Sequence, residues 1–233
     1  MANKKTNVLT ITGAMLALGV ILSFIKIFEW PFGGSITLAS MVPIVIIGFK
    51  YGPRWGVFSA FMYSILQAVL GATTTQAFAG MYDPDNVNAS MMKIALMAFL
   101  DYITAFTVLG LSGVFRDRIK SNTIAFTVGT GFAVLLRFAA HFVSGFVLWG
   151  DYAESFFDTL KDTFTEGGRF DAAMTALSDS IITHHSGQYL AEIYSFIYNG
   201  FYMIPEFFMT VIIVFVIMEI RPINKLITDN GAL

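Results

Sequence analysis

The 233-residue chain contains no cysteine, which excludes disulfides, thiolate metal sites and a cysteine nucleophile. Charge is scarce too: Asp, Glu, Lys and Arg make up 13% of the residues and nearly cancel to a formal -2, so there is no basic footprint for a phosphate backbone. Nucleic acid is not an expected partner. No G-x-x-x-x-G-K-[ST] occurs, so ATP is not bound in the P-loop manner, and neither G-x-S-x-G nor H-E-x-x-H is present. What the chain does have is apolar. Hydrophobic residues account for 56%, with 24 Phe and 12 Met, more than the core of one soluble domain of this length absorbs. The chain reads as a membrane protein.

A helix needs about 20 residues to cross about 30 Å of hydrocarbon. Six stretches are candidates: Val8 to Ile27, Ile36 to Phe49, Trp55 to Leu70, Met91 to Phe115, Thr123 to Trp149, and Phe196 to Ile220. The second is short and carries Pro43, so a re-entrant segment is its alternative reading. The first follows Lys4 and Lys5 and imitates a signal peptide, but it exceeds an h-region and no small-x-small cleavage site follows the apolar run before Lys26, Phe28 and Trp30, which fits a retained span. Six crossings place Lys4, Lys5, Lys50, Arg54, Arg116, Arg118, Lys120, Arg221 and Lys225 on one side, against Lys26, Lys93, Lys161 and Arg169 on the other. The positive-inside rule then puts both termini in the cytoplasm. The expectation is an all-α membrane protein, a single integral domain over residues 1–233, with six transmembrane helices and long extracellular loops after helices 3 and 5.

The second long loop, residues 150–190, contains Tyr152, Phe156, Phe157, Leu160 and Phe164 at helical spacing among acidic residues. This predicts an amphipathic helix on the membrane surface, either covering a site or resting on lipid as a spacer. Ionisable groups inside spans are costly and mark function by default. Here they are Asp101, Arg137, His141 and Glu206, joined on the outer side by Tyr194, Tyr198, Asn199 and Trp149. Arg137, His141, Gly145 and Trp149 recur every four residues and so share a face turned from lipid, with Gly145 making room for a ligand or for a neighbouring helix. Asp101 either bridges to Arg137 or faces a cationic ligand held over Trp149, Tyr102 or Tyr194, and Arg137 has Glu206 as a second candidate partner. His141 and Ser144 at i, i+3 lack a third member to orient a base, so no catalytic residues are expected. Adjacent His184 and His185 have no spaced partner, so no metal is expected, and nothing calls for a cofactor.

Four separated blocks carry a resemblance: residues 33–44 (GGSITLASMVPI), 99–106 (FLDYITAF), 135–145 (LLRFAAHFVSG) and 194–205 (YSFIYNGFYMIP). Together they resemble the thiamine-specific substrate-binding (S) component of energy-coupling factor (ECF) transporters. The resemblance implies a multi-pass subunit of a prokaryotic plasma membrane that captures extracellular thiamine with high affinity. It also implies partnership with a transmembrane coupling protein and two ATPase subunits, as in an ABC importer. It places Asp101 at the acidic position, Trp149 at the stacking position, and His141, Tyr194 and Asn199 at polar positions; the reading of the residues themselves adds Tyr102, Arg137 and Tyr198 to the expected substrate-binding set. Asp101 stands where some members carry Glu, and an aromatic position after the first helix falls near Gly34, with Trp30 as a substitute. The small residues Gly13, Ala14 and Ala17 resemble the face that docks on the coupling protein, and packing within the bundle is their other reading. The alternatives are an S component for another vitamin and an autonomous secondary transporter of a cationic metabolite.

Overall fold

The computed structural model describes residues 4–29, 34–74, 77–163 and 169–229. Trp30 and Phe164 lie outside them. Five helical stretches among the described residues are long and apolar enough to cross a membrane: Lys4–Ser23 (α1), Pro53–Thr74 (α3), the continuous run Val87–Gly113, Asn122–Leu148 (α7) and Gly187–Glu219 (α10). The run Val87–Gly113 is not one uniform helix. It begins as α5 (Val87–Met97), passes through a π-helical segment at Ala98–Thr104 and a short α6 (Ala105–Thr107), and tightens to 3-10 at Val108–Gly113. The expected second span differs from the sequence reading. Ser35–Thr37 (β2) pairs antiparallel with Lys26–Glu29 (β1), and α2 runs only from Val42 to Tyr51. Pro43 starts that helix, where its missing N–H costs nothing. Ten residues reach about 15 Å, half the hydrocarbon thickness.

The chain divides into two compact units, Met1–Ala140 with Tyr202–Leu233, and His141–Phe201. In the first, α2, α3 and the 3-10 segment pack closely because glycines face one another. A Cβ on Gly56 would overlap the carbonyl of Gly110, so backbones meet where side chains would otherwise hold them apart. The turn from α2 into α3 passes through Gly52 at φ +87°, a left-handed conformation that only glycine adopts without strain. The inner face of α1 is made by Val8, Thr12 and Gly19. Trp55 Nε1 donates to Thr12 Oγ1 at 3.0 Å, and the Tyr63 hydroxyl donates to the Gly19 carbonyl at 3.1 Å. Gly13, Ala14 and Ala17 are on the opposite, exposed face, so packing within the bundle does not account for them. The C-terminal helix α11 (Arg221–Thr228) is held at its carbonyl end: Lys50 Nζ donates to the Leu226 carbonyl and Arg116 Nη2 to that of Thr228. Burial there lowers the Lys50 pKa from its ordinary 10.5, with Asp229 opposing the shift and Arg116 adding to it.

In the second unit, the loop expected to carry one amphipathic helix carries two. Ala77–Gly80 (α4) belongs to the earlier loop, while α8 (Ala153–Thr163) and α9 (Arg169–His184), which follow α7 and precede α10 in sequence, pack against each other. The apolar stripe of α8 is spent on protein: Ala153, Phe157 and Leu160, at i, i+4 and i+7, are all buried. α9, which the amphipathic spacing does not single out, packs against α8.

Candidate functional site

Within the first unit, the polar residues gather around Glu206. One of its carboxylate oxygens accepts from the Thr37 backbone N–H at 2.6 Å and from the Thr37 hydroxyl at 2.7 Å, and that hydroxyl is 2.7 Å from the Ser40 hydroxyl. The other oxygen faces Arg137 Nη1 at 3.5 Å. Arg137 lies over the Phe106 ring, 4.4 Å from its centroid. Of the partners that the sequence offered Arg137, the structure selects Glu206. Both are buried, and two charges removed from water need each other.

Asp101 and Tyr102 lie on the π-helical segment, both half-buried. A π segment inserts one residue into a helix and rotates the turns beyond it, and such bulges recur at functional sites. The Tyr102 ring sits against α3, where Gly71 leaves room: a Cβ there would overlap the phenol. It also contacts Phe78 at 5.6 Å and Phe106 at 6.4 Å between centroids. Phe106 thus touches both Tyr102 and Arg137, a link that sequence spacing does not reveal. Gly34 packs on the Tyr202 ring, 2.6 Å from where its Cβ would stand, so no larger residue fits at that position.

Within the second unit, the C-terminal part of α7 and the N-terminal part of α10 bring the remaining candidates together. His141, Gly145 and Trp149 are all buried, as the four-residue repeat predicts. Gly145 serves a close helix contact: a Cβ there would meet the Ser195 hydroxyl and, at 2.9 Å, the Asn199 amide nitrogen. The room that the sequence reading offered to a ligand or a helix is taken by α10. Asn199 Nδ2 donates to the backbone carbonyls of Ser195 at 2.8 Å and His141 at 3.2 Å, and the Ser195 hydroxyl donates to the Phe142 carbonyl at 2.7 Å. Asn199 therefore ties α10 to the turn of α7 that carries His141.

Aromatic rings surround this seam. Tyr194 and Tyr198 lie 5.5 Å apart, one helical turn apart on α10, and Phe156 of α8 meets both edge-on, at 5.3 Å and 5.6 Å. Trp149 contacts Tyr152 at 5.5 Å. Phe156 and Ser195 were not among the sequence candidates. Phe156 was legible only as part of an amphipathic stripe, and Ser195 carried no signal beyond lying beside Tyr194. The cluster presents π faces, suited to a cation or a flat ring, next to an amide. His184 is exposed, with Nδ1 2.8 Å from the Ser180 carbonyl.

Comparison with known proteins converges on one family. The family model described as thiamine transporter protein (Thia_YuaJ) matches residues 9–83 and 85–158. The thiamine transporter ThiT of Bacillus subtilis (strain 168) is 25% identical over 219 residues, which cover 89% of this chain and 88% of that protein. The structure of ThiT from Listeria monocytogenes aligns with a TM-score of 0.59 at 21% identity, covering 97% of this chain and 100% of that one. At that identity it speaks for the fold.

Proposed function

The chain belongs to the thiamine transporter protein family, and from that premise we propose that it binds thiamine as the substrate-binding subunit of an energy-coupled importer. The observation that carries the reading is the cluster of Tyr194, Tyr198 and Phe156 beside Asn199 in the second unit. Thiamine has a permanently cationic thiazolium and a flat aminopyrimidine. Aromatic faces attract the first through their quadrupole and stack on the second. Trp149 supplies a stacking surface. The Asn199 carbonyl accepts from the exocyclic amine, since an amide oxygen carries two lone pairs. His141, Tyr194, Tyr198 and Tyr102 supply further hydrogen bonds, and Asp101 supplies the carboxylate, on the ground of charge alone. Arg137 acts as a positioning residue, because its charge is already engaged by Glu206.

The subunit performs no chemistry on the vitamin and leaves ATP hydrolysis to others, consistent with the missing P-loop. Docking on a transmembrane coupling protein uses the exposed small-residue face of Gly13, Ala14 and Ala17. The test is a thiamine titration of the detergent-purified chain, followed by tryptophan fluorescence, with riboflavin and biotin as competitors. Saturable quenching by thiamine alone, lost in Trp149→Phe and weakened in Asp101→Asn, is the expected result. Absence of thiamine binding, or equal competition by the other vitamins, overturns the proposal.

A further inference from the structure

The structure assigns α11 to an anionic phospholipid, as an interfacial helix that seats a lipid headgroup against its basic face. The chain leaves the apolar α10 at Glu219, turns through an extended Ile220, and enters α11 with Pro222 in its first turn. That places α11 where a span ends, at the level of headgroups.

At about 100° per residue, the eight residues sort into three sectors. Ile223, Asn224, Ile227 and Thr228 turn toward the protein, with Ile227 only 3% exposed. Arg221 and Lys225 adjoin one another on the free side, and Pro222 and Leu226 adjoin them in turn. Leu226 is 66% exposed and Ile220 45%. The uncovered face is thus half basic and half apolar, the division that a helix lying in a bilayer interface requires. Lys50 and Arg116 hold its carbonyl end to the bundle, so the orientation of this face is set by the fold.

A cleft of about 440 Å³ opens beside the basic half, lined by Thr123, Glu219, Arg221, Asn224, Lys225 and Thr228. Thr123 contributes from the first turn of α7, where the helix dipole favours an anion. Among the described residues, Glu219 is the one acidic group lining the cleft, against two cations. The charge balance suits a phosphodiester, and the apolar half beside it suits acyl chains. A soluble anion would use the cleft and leave Leu226 in water. This inference does not depend on the thiamine reading.

The experiment uses the full chain in neutral detergent, titrated with dioleoylphosphatidylglycerol or dioleoylphosphatidylcholine, with bound lipid read by native mass spectrometry and protection by thermal unfolding. The phosphatidylglycerol is expected to be retained and protective and the phosphatidylcholine not. Arg221→Gln with Lys225→Gln weakens retention about thirtyfold, since each cation contributes at an anionic surface. A cooperative thermal unfolding transition in that variant checks that it folds. If it does not fold, wild-type retention at rising salt decides, and retention that salt leaves unchanged overturns the proposal. Equal retention of both lipids, an unaffected folded variant, or full displacement by inorganic phosphate overturns it as well.

Discussion

Glu206 accepts both the backbone N–H and the hydroxyl of Thr37 on one carboxylate oxygen, so a residue far along α10 holds the end of the β1–β2 hairpin. Its second oxygen faces Arg137. The three residues form one buried unit, and truncating any member leaves an uncompensated group. Glu206→Ala is expected to cost about 3–5 kcal/mol, as for breaking a buried pair from one side. Arg137→Met combined with Glu206→Leu is expected to cost less than Glu206→Ala alone. Thermal unfolding in one detergent checks this, and a double variant no better than the single would show that the charges are not what couples the sites.

Asn199→Ala removes the amide that reaches the His141 and Ser195 carbonyls. Thiamine affinity should fall by about tenfold to a hundredfold, one or two hydrogen bonds to a charged or polar ligand. Ser195→Ala loses only the bond to the Phe142 carbonyl and should change affinity less. Isothermal titration separates the two.

Phe156→Ala opens the edge-on contacts to Tyr194 and Tyr198. About a tenfold loss of thiamine affinity is expected, with Phe156→Tyr near wild type, because the ring and not the helix supplies the contact. If Phe156→Ala binds as well as wild type, α8 has no part in the site.

Two glycines of α-helices should respond in opposite ways. Gly145→Val drives side-chain atoms into Ser195 and Asn199 and should lower both the unfolding temperature and thiamine binding. Gly13 has nothing within 4 Å of a Cβ position. Gly13→Leu should leave folding and thiamine binding unchanged and abolish uptake when the coupling protein and ATPases are present. Normal uptake by that variant would remove α1 from the docking surface.

Asp101→Asn keeps the shape of the side chain and deletes its charge. Affinity for thiamine should drop by at least about tenfold, while a neutral pyrimidine fragment of the vitamin binds as before. Equal losses for both would mean that the carboxylate orients the site instead of attracting the cation.

Apolar runs, the positions of embedded ionisable residues and the four-residue repeat of Arg137, His141, Gly145 and Trp149 were readable directly, because lipid forces hydrophobic length and one-sided polarity on each helix separately. Those constraints are local. The shortness of α2 was half-legible, since Pro43 marks where a helix starts but not that the preceding residues pair with β1. Likewise, the stripe of α8 announced a buried face without naming α9 as what covers it.

Partner choice was decided only in three dimensions. Residue order and periodicity were enough to establish a membrane-embedded helical chain, the faces its polar residues share, and the blocks by which its family is recognised. Tertiary structure alone chose Glu206 for Arg137, α10 for the space above Gly145, and Phe156 as the ring that meets Tyr194 and Tyr198. The reason is physical. Periodicity states which way a side chain points along its own helix, whereas which opposite charge or ring it meets depends on how helices distant in sequence are packed.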